Sequence, residues 1–122
     1  MDHDQAPIVE ALIAYHAQNR YGFTPPGHRQ GRGIDKRLVD VMGLDPFRSD
    51  VLATGGLDDR KSSHGYLQSA QELMADAVGA EQAFFSTCGS SLSVKACILA
   101  ATAGGGELLI SRDAHKSAAA GL

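Results

Sequence analysis

Apolar residues recur at helical spacing in four stretches of the chain. Side chains three and four positions apart share one face of a helix, so each stretch predicts a helix with one apolar face. The apolar stripes at 67–78 and 94–101 are predicted to lie in the core, and Cys97 belongs to the second stripe. The predicted helices cover residues 6–19, 35–43, 66–78 and 90–102.

Two short apolar runs lack this helical spacing. Residues 83–87 and 107–111 are continuous apolar stretches of the kind that buried strands have. A predicted helix lies between them, which favours parallel pairing through a right-handed crossover. The sequence therefore predicts an α/β fold with parallel strands and crossover helices.

Proline and glycine mark where regular structure stops. Two prolines and three glycines in residues 21–31 exclude a helix or a central strand there, and residues 44–64 are predicted to be a loop. We predict an N-terminal segment of helix and Pro/Gly loop at 1–48. The beginning of a larger domain follows at 49–122, and we expect it to be truncated because residue 122 falls inside an apparent helix start.

Composition and charge exclude several classes of protein. Apolar residues make up 43% of the 122 positions, which is typical of a globular domain. The 11 basic and 14 acidic residues are mixed along the chain, so no nucleic-acid-binding face is predicted. No metal site is predicted either. No apolar run approaches the roughly 18 residues that a membrane span needs. Two cysteines are too few for a disulfide framework, and a cytoplasmic location is expected.

A turn of small residues follows the first predicted strand. Gly89, Ser90 and Ser91 stand at the start of a predicted helix, where backbone N–H groups and hydroxyls can hold a phosphate. His115 ends the next predicted strand and can lie over a ring attached to that phosphate. The arrangement predicts a phosphorylated aromatic cofactor, for which pyridoxal phosphate is the obvious candidate.

Four motifs occur in a fixed order along the chain. Residues 23–31 read FTPPGHRQG, similar to F-x-x-P-G-H-x-x-G, and residues 56–59 read GLDD before a helix that ends in Gly-Ala. Residues 88–91 read CGSS, similar to N-G-T-S, and residues 112–117 read RDAHKS, similar to R-N-x-H-K-S. Together they resemble the major domain of the ornithine/lysine/arginine decarboxylases, a branch of the fold type I (aspartate-aminotransferase-like) pyridoxal-phosphate enzymes. The resemblance covers most of the chain from about residue 8.

The resemblance implies a role for each site residue. Gly89, Ser90 and Ser91 would bind the cofactor phosphate, and His115 would be the catalytic residue that stacks on the pyridine ring. Ser117 would lie at the same site. The implied activity is decarboxylation of lysine, ornithine or arginine by a homodimer or higher oligomer. Cys88 departs from the family pattern, which commonly has Asn there.

Lys116 follows a histidine, as the family's Schiff-base lysine does. It lies only 25 residues beyond Ser91, where the resemblance expects the stacking histidine. The Schiff-base lysine and the acid that pairs with the pyridine nitrogen are therefore expected further along, outside these residues. We expect no turnover from this chain alone.

Two other functions stay open at this point. The chain can be a non-catalytic piece that folds only on a partner chain. It can also be a small hydrolase in which Cys88 is the nucleophile and His115 the base.

The remaining candidates have simpler interpretations beside functional ones. His28 is either a structural group in its Pro/Gly loop or a residue near the active site or a neighbouring subunit. Asp58 and Asp59 are interpreted as helix-entry and solvent charges, with a paired general acid and base as the alternative. His64 is interpreted as exposed.

Overall fold

The computed structural model describes residues 1–52, 57–58 and 64–121. The chain divides into two compact units, Met1–Ala83 and Phe84–Leu122. The predicted boundary between residues 48 and 49 lies inside the first unit and stays a prediction.

The first unit is helical. The helices predicted over residues 6–19 and 35–43 are confirmed with slightly shorter bounds, and the helix predicted over 66–78 is confirmed with the same bounds. The loop prediction over 44–64 was wrong at 45–49, where a short helix carries Pro46 in its first turn. Proline is tolerated there because the first N–H groups of a helix have no partner within it. The helices are α1 (Pro7–Ala17), α2 (Lys36–Met42), α3 (Asp45–Ser49) and α4 (Tyr66–Val78).

Helices α1 and α4 pack against each other. The buried side chains are small, Ala11 from α1 and Ala75 from α4. The predicted core at 67–78 was wrong, because Met74 is 45% exposed and Val78 65% exposed. Two packed helices bury only the apolar side chains between them, and apolar side chains on their other faces need a further layer of structure to cover them. The described residues of this unit provide no such layer over Met74 and Val78.

Asp58 caps α4 from outside the helix. Its Oδ2 accepts a hydrogen bond from the backbone N–H of Leu67 at 2.7 Å, and its Oδ1 accepts one from the N–H of His64. Partial burial opposes the charge, but the N–H bonds outweigh it and lower the pKa of Asp58. The helix-entry interpretation of Asp58 is therefore confirmed, and His64 is exposed as predicted. Asp59 lies outside the described residues.

The second unit holds α5 (Ser90–Thr102) and α6 (Lys116–Ala119). The helix predicted over 90–102 is confirmed. No strand forms over 83–87 or 107–111 as the structure describes these residues, so the parallel-strand prediction is not confirmed. A strand exists only through hydrogen bonds to a neighbouring strand, and these runs form no such ladder here. Their apolar side chains stay in water, with Phe84 79% and Leu109 99% exposed.

Helix α6 packs against α5, and Gly121, two residues beyond the end of α6, lies close to Ile98 of α5. A Cβ added to Gly121 would lie 3.1 Å from the Cβ of Ile98, so glycine allows this close approach. The core prediction for 94–101 was wrong, because Cys97 is exposed and Val94 is 38% exposed. The four residues of α6 are too few to cover the face of a 13-residue helix. No helix in the described ranges is long and apolar enough to cross a membrane.

Candidate functional site

Residues 86–91 form the turn from which α5 begins. The Oγ of Ser86 accepts a hydrogen bond from the backbone N–H of Cys88 at 3.0 Å. Gly89 follows with φ 68° and ψ 174°, a backbone conformation that side chains disfavour. A Cβ at Gly89 would meet nothing within 4 Å. Glycine is therefore required here by the backbone and not by a lack of space.

The N-cap residue of α5 is Gly89, which has no side chain with which to cap the helix. Ser90 is exposed and Ser91 half-buried, and the next N–H, that of Leu92, donates to the carbonyl of Gly89 at 3.1 Å. The first N–H groups of a helix have no acceptor within it, and the helix dipole places partial positive charge there. Two N–H groups and two hydroxyls thus stand together at a point that favours an anion.

Ser117 holds the ring of His115 through one nitrogen. The Nδ1 of His115 accepts the backbone N–H of Ser117 at 3.2 Å and lies 2.9 Å from its Oγ. A backbone N–H can only donate, so Nδ1 is an acceptor in this contact and the hydroxyl donates to it as well. The neutral ring then carries its proton on Nε2. Ser117 is 5% exposed, whereas His115 is exposed. A buried serine therefore holds an imidazole ring that is accessible to solvent.

A carboxylate lies two residues before this ring. The hydroxyl of Ser111 donates to the carboxylate of Asp113, and this hydrogen bond lowers the pKa of Asp113. Asp113 is therefore anionic at neutral pH. Lys116, the first residue of α6, is exposed.

The two halves of the predicted site are not joined by a hydrogen bond in the described part of the second unit. Within residues 84–121, no hydrogen bond links Gly89, Ser90 or Ser91 to the His115–Ser117 pair. Cys88 is exposed, and in the same residues it makes no hydrogen bond with His115. The hydrolase interpretation needs that contact, so the structure gives it no support.

His28 has one satisfied and one unsatisfied ring nitrogen. Its Nε2 lies 3.1 Å from the Oδ2 of Asp50, and its ring meets Phe47 edge-on at 5.6 Å between centroids. Its Nδ1 is buried without a hydrogen-bond partner among the described residues. The backbone carbonyl of His28 accepts from Gly31 at 2.9 Å and from Gly33 at 3.1 Å. These contacts support a structural role for the backbone carbonyl and the Nε2 of His28. A structural role does not account for its Nδ1, which makes no such contact.

Sequence reasoning missed two groups of residues. Asp50, the partner of His28, lies 22 residues away with no spacing signal that would pair them. The second group is a cleft lined by arginines in the first unit, formed by residues of α1, the Pro/Gly loop and α3. Only the excess of basic residues between 20 and 48 hinted at it.

A family model, "Orn/Lys/Arg decarboxylase, major domain", matches residues 6–122. This match covers almost the whole chain, and the chain belongs to the Orn/Lys/Arg decarboxylase family. The resemblance drawn from the four motifs is confirmed.

Curated relatives of the chain are named arginine and lysine decarboxylases. The arginine decarboxylase of Halalkalibacterium halodurans is 33% identical over 93% of this chain and 23% of the relative. The constitutive lysine decarboxylase of Escherichia coli (strain K12) is 34% identical over 98% of this chain and 18% of the relative. The chain thus spans about a quarter or less of the length of these relatives. No solved structure matches the chain significantly.

Proposed function

We propose that the protein containing this chain is a pyridoxal-phosphate-dependent decarboxylase of lysine, ornithine or arginine. The observation that carries the proposal lies in the second unit. There α5 begins with an uncapped Gly-Ser-Ser turn, and α6 begins with an imidazole held through one nitrogen. Family membership and the names of the relatives support the reaction class.

The start of α5 fits a phosphate group. Phosphate oxygens accept several hydrogen bonds at once, and this turn offers backbone N–H groups beside the hydroxyls of Ser90 and Ser91. Gly89 has no side chain, so a phosphate can approach the backbone closely. Residues 89–91 would therefore hold the cofactor by its phosphate.

The ring of His115 would lie against the pyridine of the cofactor. Rotation of the imidazole would break both contacts of Nδ1, so Ser117 fixes the plane of the ring and is a positioning residue. The Nε2–H points away from that anchor. Pyridoxal phosphate, when bound, supplies a conjugated ring that accepts the electron pair left by the departing CO₂.

The two apolar runs would become parallel strands in the whole protein. Residues 83–87 and 107–111 are separated by α5, which gives the strand–helix–strand order of a right-handed crossover. Exposed side chains such as Phe84 and Leu109 would then be buried between sheet and helices.

Lys116 would not carry the cofactor, and this chain alone would lack turnover. We expect borohydride reduction with pyridoxal phosphate to leave Lys116 labelled no more than Lys95, which is a control lysine on α5. Peptide mass spectrometry measures the ratio. Preferential labelling of Lys116, or release of CO₂ by the isolated chain, would contradict this part of the proposal.

The partners follow from the same reaction. The proposed substrate is a small basic amino acid, the proposed assembly is a homodimer or higher homo-oligomer, and the proposed location is the cytoplasm. Neither nucleic acid nor a membrane is a proposed partner. Sedimentation of the full-length protein, and its release of CO₂ from arginine, lysine and ornithine compared at equal concentration, test the assembly and the substrate.

The phosphate site is tested with a probe that cannot react with lysines. Pyridoxine 5′-phosphate lacks the aldehyde, and its binding to the 122-residue chain is measured by equilibrium dialysis. We expect the double variant S90A/S91A to bind about ten-fold more weakly, because charge-assisted hydrogen bonds are lost. S93A on the same helix is the matched control and should change binding by less than about two-fold. Unchanged binding by the double variant would overturn the proposed phosphate site.

A further inference from the structure

A cleft opens in the first unit between α1, the end of α3 and α4, and we call it the α1–α4 cleft. Its volume is about 220 Å³, which is below the range of about 300–1,000 Å³ that is typical of sites for drug-sized ligands. An occupant of this cleft is therefore a small molecule. Most of the lining is aliphatic and consists of Ile8, Ala11, Leu12, Val51, Leu57 and Leu67.

Three polar residues complete the lining that the structure describes. Ser49 and Tyr66 carry hydroxyl groups, and Asp58 carries a carboxylate. Asp58 is the only charged residue among the described residues that line this cleft. Hydroxyl and carboxylate oxygens all accept hydrogen bonds, so the polar part of the lining suits a donor and disfavours an anion.

Asp58 is anionic at neutral pH. Partial burial opposes its charge, but hydrogen bonds from the backbone N–H groups of Leu67 and His64, together with the charge of the His64 imidazole, lower the pKa of Asp58. Backbone N–H groups carry only partial charges, so they stabilise the carboxylate without cancelling its full charge. The cleft thus combines a negative charge with aliphatic walls.

The walls of the cleft belong to packed helices. Helices α1 and α4 contact each other, and Ala11 of α1 is 8% exposed. The Oδ2 of Asp58 accepts the backbone N–H of Leu67 at 2.7 Å, which fixes the carboxylate against the first turn of α4. The negative charge and the aliphatic wall of α4 are therefore held next to each other before any ligand binds.

We propose that the α1–α4 cleft binds a small aliphatic ammonium ion, with its charged end at Asp58 and its hydrocarbon chain against the aliphatic walls. An ammonium group has three hydrogen-bond donors and no acceptor, and its bond to a carboxylate is charge-assisted. The hydrocarbon chain is stabilised because it leaves water. This site lies in the other unit from the phosphate-binding turn at the start of α5, and it does not rest on the proposed decarboxylation.

The proposal is tested with three probes of one size that differ in charge. n-Butylammonium, butan-1-ol and butyrate are titrated into the ¹⁵N-labelled 122-residue chain at matched ionic strength, and amide shifts of the lining residues give the affinity. We expect n-butylammonium to bind about ten-fold more tightly than butan-1-ol, because only the cation makes a charge-assisted hydrogen bond. Butyrate should bind more weakly than either, since its charge is repelled by Asp58.

Removing the charge of Asp58 should remove the preference for the cation. D58N keeps an oxygen that can accept the N–H of Leu67, so α4 retains its cap. We expect D58N to weaken binding of n-butylammonium by about ten-fold and that of butan-1-ol by less than about two-fold. E72Q removes a carboxylate from the exposed face of α4, outside the described lining, and is the matched control. It should change neither affinity by more than about two-fold.

A second pair of variants tests the aliphatic wall. L12F fills the cleft and should weaken binding of both n-butylammonium and butan-1-ol by about ten-fold or more. I13F is its control, because Ile13 is the next residue of α1, is 63% exposed and lies outside the described lining. S90A/S91A should leave binding unchanged, which separates this cleft from the cofactor phosphate site. Circular dichroism verifies that each variant is folded.

Three results would overturn the proposal. The first is that n-butylammonium causes no saturable shift at the lining residues of the folded wild-type chain. The second is that D58N keeps the wild-type preference for n-butylammonium over butan-1-ol. The third is that folded L12F binds n-butylammonium as tightly as I13F does.

Discussion

The Oγ of Ser117 lies 2.9 Å from the Nδ1 of His115, and the backbone N–H of the same serine lies 3.2 Å from that nitrogen. Two donors of one residue therefore converge on one acceptor. The contact closes the first turn of α6 and at the same time sets which ring nitrogen carries the proton. The interaction between His115 and Ser117 thus caps α6 and also orients the imidazole ring of His115.

Replacing Ser117 with alanine should loosen the ring of His115 without unfolding α5. The variant keeps the backbone donor but loses the hydroxyl, so ¹⁵N spectra should show the Nε2–H tautomer less strongly populated. We expect binding of pyridoxine 5′-phosphate to weaken by about three-fold to ten-fold, corresponding to one hydrogen bond. S93A serves as the control. An unchanged tautomer ratio in S117A would contradict the positioning role.

Replacing Gly121 with alanine should destabilise the contact between α5 and α6. The new Cβ would lie 3.1–3.2 Å from three carbons of Ile98, which is closer than real Cβ contacts normally are. We expect a loss of about 1 kcal/mol in the free energy of unfolding, measured in urea. The second substitution I98V should recover part of it. G104A, where a Cβ meets nothing within 4 Å, is the control. Equal effects of G121A and G104A would refute the steric explanation.

Replacing Gly89 with alanine tests the backbone requirement of the phosphate-binding turn. Space is open around Gly89, but its φ of 68° is costly for a residue with a side chain. We expect a loss of about 1 kcal/mol or more in stability, because a positive φ combined with ψ near 180° is essentially restricted to glycine. G22A is the control, since Gly22 also has open space but no positive φ. If G89A were as stable as G22A, the strain argument would fail.

Asp58 should make the stability of α4 depend on pH in the acidic range. Its pKa is lowered in the folded chain, so its contribution is fully present above the ordinary pKa of aspartate, near 4, and is lost as pH falls through the lowered value. D58A should cost about 1 kcal/mol near neutral pH, because α4 loses its cap. Helicity followed by circular dichroism from pH 7 to pH 2 measures this, with E72Q as the control. A wild-type profile in D58A would exclude the capping role.

The sequence predicted the helices well because their signal is local. The periodic apolar positions of α1, α4 and α5 and the glycine after α4 lie within each element. The strands predicted at 83–87 and 107–111 do not form in the described residues, because a strand needs hydrogen bonds to a neighbouring strand and that signal is not local. The short α3 was missed because Asp45-Pro46 indicates a turn as readily as a helix start.

The candidate site was predicted as a set of residues but not as a set of contacts. Gly89, Ser90 and Ser91 were predicted from their position at the start of a helix. The His115–Ser117 pair depends on the ψ of 146° at His115, which no residue pattern encodes. The arginine cleft depends on three separate elements meeting, and the pairing of His28 with Asp50 depends on the path of the loop between them.

Several apolar side chains of the second unit lie exposed to water. Leu109 is almost entirely exposed and Phe84 largely exposed, and burial of such a side chain contributes roughly 1.5–3 kcal/mol. Whatever covers them should therefore produce a negative heat-capacity change on association, which is the calorimetric signature of apolar surface leaving water. The size of that change would report how much of the second unit is completed by contacts from outside it.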